Sequence, residues 1–302
     1  MSDTAVLLIF FNRPNTFKAV FSQVRKAKPN KLYLFQDGAR DESDKRKMQI
    51  CRKIAEGVDW ECEIHTNYQS ENLGCGQGPY QAISWVLNNE ESAIILEDDC
   101  VPDISFFDYC DELLKKYKND TRIGMITGFN HFGSWDCGNS SYFFGKTGAN
   151  CGWATWRRVW EEYDYNLKAL DDVYYKQKLK DVFLSKHISK YVVRRLLRTK
   201  QKIAKSEKLS YWDLQLEGSK YLNSWLCIIP KVNLISNVGF GEDATHNANK
   251  SPFNEITVGR IDKIIHPQCI IQDIAYDKKY YSITCPNYFV MIKNKVLAMC
   301  KR

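Results

Sequence analysis

The sequence lacks several short patterns that would assign it to a common class of protein. Its eleven cysteines include no C-x-x-C pair, and we predict no zinc cluster because such sites need closely spaced cysteines. No run approaches the roughly 18 apolar residues that a membrane-spanning helix needs. After the first apolar run comes Asn12-Arg13-Pro14, where dinucleotide-binding enzymes and methyltransferases place a glycine turn. These classes are therefore disfavoured.

The beginning of the sequence has no basic segment, long apolar core and small-residue cleavage site of the kind that marks a secretory signal. The cysteines are scattered and odd in number, whereas a secreted protein would usually pair them as disulfides. We therefore expect reduced thiols and a cytoplasmic protein, with peripheral contact to the inner face of the membrane as a further hypothesis.

The composition is that of a folded protein with a basic surplus. Of the 302 residues, 44% are hydrophobic, which is enough for one large core. A net charge of +7 suits a polyanionic ligand or an anionic membrane surface; nucleic acid is not predicted as a partner. The basic stretch 186–208 is either a solvated helix face or a contact for phosphate or anionic lipid. The apolar, basic tail 286–302 either lies on a membrane surface or docks on the core.

Strand-like and helix-like segments alternate through the first 130 residues. Short apolar runs predict strands at 5–11, 31–35, 61–66, 93–96 and 123–127. Helical periodicity predicts helices at 16–27, 43–56, 79–88 and 105–118. This alternation is typical of an α/β fold whose central sheet is mostly parallel and is flanked by helices.

Polar residues follow each predicted strand, at the edge of the sheet where such folds bind their ligands. Asn12 and Arg13 follow the first strand, Asp37 the second, and a glycine-bearing loop that starts with Asn72 the third. The fourth strand runs directly into Glu97-Asp98-Asp99. We expect these side chains to converge on one site.

The three adjacent acids predict a positively charged partner, because buried carboxylates are costly unless they are paired or bind metal. Hard oxygen ligands favour Mg²⁺ or Mn²⁺, and Mg²⁺ is usually held by one or two carboxylates while substrate phosphates complete its shell. The acids therefore predict a divalent-metal site for a diphosphate, with an acidic surface turn as the alternative.

Taken together, the short motifs resemble those of glycosyltransferases of the GT-A fold. The likeness is closest to family-2-like bacterial enzymes, and the E-D-D and W-D arrangement is similar to that of N-acetylglucosaminyltransferase I. It covers about residues 4 to 250. The motifs are Phe11-Asn12-Arg13-Pro14, Phe35-Gln36-Asp37-Gly38, Asn72-Leu73-Gly74, Leu96 to Pro102, Gly152-Trp153 and Trp212-Asp213.

The resemblance implies a nucleotide-sugar donor, by default a uridine diphosphate sugar, and a role for each matched residue. The nucleotide base and ribose would be held by the turn Phe11-Asn12-Arg13 and by Asp37, with Asn72 beside them. Glu97 and Asp98 would touch the ribose or the donor sugar, and Asp99 would bind Mn²⁺ or Mg²⁺. For Asp37 and Asn72, a plain Asp-Gly turn and a loop cap are open alternatives.

Sugar transfer also needs a base for the acceptor hydroxyl. Asp213, beside Trp212, suits this task, and the resemblance points to the same residue; a helix N-cap is the alternative. A single base opposite the departing phosphate would make the enzyme inverting.

The resemblance places two further groups in the second half. The segment with Gly152, Trp153 and Trp156 would bind the acceptor together with Trp212, although core packing explains the tryptophans equally well. His246 would be a second metal ligand, with a surface histidine as the alternative.

These motifs predict a metal-dependent hexosyltransferase for a saccharide or lipid-linked saccharide acceptor in cell-surface polysaccharide or lipopolysaccharide synthesis. We expect a nucleotide-binding half at 1–130, an acceptor-binding half at 131–250 and a helical C-terminal extension at 251–302. The alternatives are a sugar-phosphate nucleotidyltransferase and a non-catalytic glycan-binding protein.

Overall fold

A computed structural model describes residues 3–183, 185–239, 253 and 256–285. The described strands are β1 (Ala5–Phe10), β2 (Lys31–Gln36), β3 (Glu63–Tyr68), β4 (Ser92–Glu97), β5 (Cys100–Pro102), β6 (Ile123–Thr127), β7 (Tyr142–Gly145), β8 (Trp153–Trp156), β9 (Leu226–Pro230) and β10 (Ile235–Asn237). The described helices are α1 (Pro14–Ala27), α2 (Glu42–Ala55), α3 (Gly74–Asn89), α4 (Ser105–Lys116), α5 (Arg157–Trp160), α6 (Val173–Lys178), α7 (Lys186–Ala204), α8 (Asp213–Leu222) and α9 (Ile274–Thr284).

Eight of these strands form one sheet in the order β3-β2-β1-β4-β8-β6-β9-β7. Strands β3, β2, β1 and β4 are parallel neighbours, and β6 is parallel to β9. Strand β8 runs antiparallel between β4 and β6, and β7 runs antiparallel beside β9. The predicted α/β fold with a mostly parallel central sheet flanked by helices is therefore confirmed.

Strand β1 shows why the sheet needs helices on both faces. All six of its residues are buried. Val6, Leu8 and Phe10 belong to the cluster that contains α1 and α4, whereas Leu7 and Ile9 pack into the cluster that contains α3. Because side chains alternate across a strand, a run of apolar residues must be covered on each face.

Four of the described helices, among them α2, α7 and α9, begin at a side chain that accepts a hydrogen bond from a backbone amide of the first turn. Asp41 accepts from the Asp44 amide at 2.8 Å, Ser185 from the Ile188 amide at 3.2 Å, and Asp273 from the Tyr276 amide at 2.9 Å. Such caps satisfy N–H groups that have no partner within the helix.

The described part of the C-terminal extension packs on the sheet. The buried Asp277 of α9 accepts hydrogen bonds from the amides of Lys146 at 3.0 Å and Thr147 at 3.1 Å, just after β7. The tail 286–302 lies outside the described residues. No helix in the described ranges is long and apolar enough to cross a membrane.

Candidate functional site

A cleft of about 760 Å³ opens at the carboxyl ends of β1, β2 and β4. Most of the residues singled out from the sequence meet there, although they come from distant parts of the chain. Those that line the cleft are Phe11, Asn12, Arg13, Asp37, Asn72, Glu97, Asp98, Asp99, Trp212 and Asp213. The cleft lies where ligands bind in open α/β sheets.

Arg13 is the positive partner of the acidic motif. It lies immediately before α1, and its guanidinium donates to the carboxylate of Asp98 and, at 3.0 Å, to Oδ2 of Asp99. The backbone amide of Phe11 donates to Oδ2 of Asp98 at 3.2 Å. The N–H groups of one guanidinium can bind two carboxylates at once. Arg13, which follows β1, therefore neutralises negative charge of the acidic motif at the end of β4.

Burial and mutual repulsion shape the protonation of these acids. Desolvation raises the pKa of Asp98 to about 6, although Arg13 acts to lower it. Desolvation, with repulsion by Asp99 and Asp98, raises the pKa of Glu97 to about 8. Burial would lower the pKa of Arg13, but the two aspartates more than offset this effect and raise it. The centre of the cleft is thus poor in solvent and sensitive to added charge.

Asp37 links the end of β2 to the start of α3. Its carboxylate accepts from the backbone amides of Gly38 and Leu73, both at 2.8 Å, and of Gly74 at 2.9 Å. The side-chain amide of Asn72 donates to it at 3.1 Å and to the carbonyl of Gly38 at 2.9 Å. Both residues are therefore engaged within the loop, as the alternative of a turn and loop cap predicts, while they also border the cleft.

Asn12 connects the first turn to α2. Its side-chain amide donates to Asp44 at 2.5 Å, and Asp44 also accepts from the guanidinium of Arg40 at 2.7 Å. The hydrogen bond from Arg40 is the largest cause of a low pKa for Asp44, about 2. The Arg40 guanidinium lies 5.1 Å from the centre of the Phe11 ring. This network places an exposed arginine at the rim of the cleft.

Asp99, the predicted metal ligand, is bound to Arg13 through one of its two carboxylate oxygens. Its Oδ2 accepts a hydrogen bond from Arg13. Among the described residues, only the thiol of Cys100 donates to its Oδ1, at 3.4 Å. No group of three or more histidine, cysteine or acidic side chains in the described part of the chain could hold a metal. The described residues thus supply no closed protein cage for a metal. Asp99 and Glu97 both line the cleft, and one or two acidic side chains are what a Mg²⁺ site completed by substrate phosphates uses.

Asp213 is exposed and is the first residue of α8. Its carboxylate makes no hydrogen bond to any described residue, and Trp212 holds the cap position without a side-chain bond. The N-cap alternative thus does not describe this carboxylate, which lies in the cleft lining with the acidic motif. Trp212 is itself 4% exposed, and its carbonyl accepts from the hydroxyl of Tyr163 at 2.8 Å.

The other predicted acceptor residues lie away from the cleft lining. Trp153 and Trp156 are 1% and 2% exposed. Trp153 stacks on Trp212 at 5.8 Å, and the Trp156 indole donates to the carbonyl of Leu114 at 3.0 Å. Both rings are packed in the core, the alternative that the sequence left open, and we do not retain them as sugar-binding residues. Gly152 has φ of 62°, and a Cβ there would overlap Ile235, so backbone geometry and packing account for this glycine.

His246, the predicted second metal ligand, lies outside the described residues. Its role stays a prediction.

Sequence reasoning missed Arg40, Asn150 and Asn237, which also line the cleft. Arg40 had a usable signal, because it closely follows Asp37 at the end of β2. Asn237 reaches the site because β10 pairs antiparallel with β5, next to Asp99. That pairing joins distant segments, and no local pattern predicts it.

Comparison with known proteins finds partial structural likeness only. No family model matches the sequence, and no curated protein matches it. Similar solved structures include HddC from Yersinia pseudotuberculosis, with a TM-score of 0.35 and 11% identity over 57% of this chain and 86% of that chain. Another is 4-diphosphocytidyl-2C-methyl-D-erythritol synthase from Anaerococcus prevotii, with a TM-score of 0.33 and 10% identity over 57% of this chain and 78% of that one.

A third similar structure is the bifunctional glycosyltransferase WbbM, with a TM-score of 0.31 and 10% identity over 73% of this chain but 37% of that chain. At these TM-scores the likenesses assign neither a family nor an activity, and we base no residue role on them.

Proposed function

We propose that this protein is a metal-dependent inverting glycosyltransferase that moves a sugar from a nucleotide diphosphate donor to a saccharide acceptor. A uridine diphosphate sugar is the donor that the motif resemblance implies. The acceptor would belong to cell-surface polysaccharide or lipopolysaccharide synthesis.

One observation carries the proposal: Asp99 and Asp213, far apart in the sequence, line the same cleft. The first carboxylate comes from the turn after β4 and the second from the beginning of α8. Sugar transfer requires two such groups, one beside the leaving diphosphate and one beside the acceptor hydroxyl. A binding protein would need neither.

The residues of the cleft would have different roles in this reaction. Asn12 and the Asp37–Asn72 loop shape the nucleotide end, where the exposed Arg40 is available to a phosphate. Arg13 fixes the aspartates of the acidic motif. Asp99 would hold the divalent cation, with Glu97 as its neighbour. The cation would supply positive charge that stabilises the leaving diphosphate.

Asp213 would remove the proton of the acceptor hydroxyl as the new bond forms. Its carboxylate is free of hydrogen bonds within the described residues, so it is available to accept a proton. Attack from the side opposite the leaving diphosphate inverts the configuration at the anomeric carbon.

The direct experiment is a screen of uridine, guanosine and cytidine diphosphate sugars for Mn²⁺-dependent hydrolysis or transfer. Asp213→Asn should lower turnover at least about 100-fold, the usual contribution of a general base, while nucleotide binding persists. Glu207→Gln, which changes an exposed acid outside the cleft, should leave turnover unchanged. Full activity in Asp213→Asn would refute the assignment of the base.

Two further assays, with nucleoside triphosphates plus sugar phosphates and with glycans, test the alternatives. Formation of a nucleotide sugar with release of pyrophosphate from a nucleoside triphosphate would identify a nucleotidyltransferase instead. Binding of glycans without turnover of any donor would identify a binding protein.

A further inference from the structure

Helix α7 carries an unusual row of positive charges. Lys186, Lys190, Arg194 and Arg198 recur at every fourth position, so they project from one side of the helix. All four are exposed. We refer to these four side chains as the basic face.

None of the four cations of the basic face has an ion pair or a hydrogen bond with a described residue, and the nearby Asp181 pairs with Lys178 instead. Two other cations of α7 do have partners: Arg195 lies 3.7 Å from Glu217, and Lys200 lies 2.7 Å from Asp171. Like charges four residues apart on a helix repel each other and destabilise it. An external anion would relieve this repulsion.

The basic face borders a groove of about 990 Å³, whose lining also includes Lys180 and Phe183. The lining further includes the apolar Val193 and Leu197 of α7. Asp181 is the one acid in this lining. The groove lining thus combines a surplus of cations with apolar side chains.

The chain just before the groove exposes apolar and aromatic side chains. Val173, Tyr174 and Tyr175 of α6 are 63%, 60% and 49% exposed. Within the described residues, no other three consecutive large apolar side chains are exposed in this way. A short 3-10 turn at Leu179–Val182 contacts both α6 and α7 and connects this patch to the groove. Tyrosines beside lysines are typical of protein surfaces at the interface between lipid and water.

The basic helix also leads directly to the cleft. Shortly after its end, Lys208 donates to the carbonyl of Asn72 at 3.3 Å, and residues 210–213 line the cleft. A surface that holds α7 therefore lies next to the segment that supplies Asp213.

We propose that the basic face and the exposed patch at 173–175 dock the protein on an anionic phospholipid bilayer. The cations bind lipid phosphates, and Val173, Tyr174 and Tyr175 enter the headgroup region. Lipid binding does not depend on the proposed activity; only its consequence, delivery of a lipid-linked acceptor to the cleft, rests on the proposed function.

Vesicle co-sedimentation tests the proposal with the full chain. Vesicles of phosphatidylcholine with about 30% phosphatidylglycerol should bind the protein, and pure phosphatidylcholine should not. Lys190→Glu/Arg194→Glu should weaken binding at least about 20-fold, because each cation near such a surface contributes about fivefold. Tyr174→Ser/Tyr175→Ser should weaken it while its salt dependence stays the same.

Matched controls separate docking from net charge and from misfolding. Lys18→Glu/Lys53→Glu reverses two exposed cations on α1 and α2 and should leave binding within about twofold, since its cations are not part of the surface. If the first charge variant does not fold, as judged by circular dichroism, Lys186→Gln/Arg198→Gln replaces it.

Three results would overturn the proposal. The first is that the protein sediments equally well with pure phosphatidylcholine vesicles. The second is that Lys18→Glu/Lys53→Glu loses as much vesicle binding as Lys190→Glu/Arg194→Glu. The third is that the protein binds a soluble polyanion such as polyphosphate and that lipid vesicles do not displace it. The third result would identify a soluble acidic ligand instead. Because donor hydrolysis is measured without vesicles, failure of lipid binding and failure of the proposed activity are distinguishable.

Discussion

The cleft and the basic face handle charge in opposite ways. In the cleft, the acids Asp98 and Asp99 share the guanidinium of Arg13, which comes from the motif of a neighbouring strand. On α7, the cations of the basic face have no partner in the described part of the chain and lie in solvent. Asp98 and Asp99 lie where there is little solvent, and Arg13 of the same chain supplies their counter-charge. The exposed cations can exist unpaired, and their pattern indicates a partner outside the chain.

The largest expected effect comes from removal of the internal counter-charge. Arg13→Ala leaves Asp98, 3% exposed, buried without its ion-pair partner. We expect the free energy of unfolding to fall by about 3–5 kcal/mol at neutral pH. Urea unfolding measures this change.

Two companion variants show whether burial is the cause. Arg25→Ala removes one member of an exposed pair with Asp59 and should leave stability nearly unchanged. Adding Asp98→Asn to Arg13→Ala should restore much of the loss, because no buried charge then stays unpaired. Equal losses in the Arg13 and Arg25 variants would contradict the contrast between buried and exposed charge.

A smaller effect is expected at His131, where the fold keeps a titratable group neutral. Desolvation, with the nearby charge of Lys220, lowers the pKa of His131 from its ordinary value of 6.5 to about 3. Between these values the unfolded chain binds a proton that the folded chain does not, so stability is lost as the pH falls. The loss should reach about 2 kcal/mol between about pH 6.5 and pH 5.

In His131→Gln this part of the pH dependence should disappear, whatever the variant's stability at neutral pH. His65→Gln, at a partly exposed histidine on β3, is the control and should keep the slope of the parent. Thermal unfolding across the pH range measures both. An unchanged slope in His131→Gln would show that this histidine is not held neutral.

The smallest effect should be a gain in stability. Arg194→Glu replaces two repulsive contacts on α7, with Lys190 and Arg198, by attractive ones. We expect a gain of about 0.5–1 kcal/mol in the free energy of unfolding, smaller at high salt. Calorimetry at low and high salt measures it. A loss of stability would mean that Arg194 has a partner within the protein.

Most of the first half of the fold was predictable from the sequence because β1, β2, β4 and β6 are local apolar runs, whereas the more polar β3 lies at Glu63–Tyr68 instead of the predicted 61–66. The strand predicted at 123–127 is observed as Ile123–Thr127, and the one at 31–35 extends by one residue to Gln36. Helix α3 begins at Gly74, earlier than the predicted 79, and contains Pro79 in its interior, where a proline removes one backbone hydrogen bond and therefore indicates a helix start instead. The antiparallel insertion of β8 between β4 and β6 was not predictable, since long-range pairing leaves no local signal.

For the site, the sequence predicted many of the residues that line the cleft, but not how their charges are compensated. The acids did require a positive partner, and Arg13 provides one. Arg13 and the aspartates that it contacts were all in the predicted site. Their direct contact, however, depends on the pairing of β1 with β4. The roles of Trp153 and Trp156 were undecidable from composition, because aromatic residues are enriched in cores and in sugar-binding surfaces alike. Their burial places them in the core.

The proposed function requires that the acidic end of β4 binds a nucleoside diphosphate through a divalent cation. Titration calorimetry of uridine diphosphate with and without Mn²⁺, on the parent protein and on Asp99→Asn, tests it most directly. We expect binding that requires Mn²⁺ and weakens at least about tenfold in Asp99→Asn, whereas Asp108→Asn, at an exposed acid of α4, binds as the parent does. Binding that is indifferent to both Mn²⁺ and Asp99, or no binding at all, would contradict the claim.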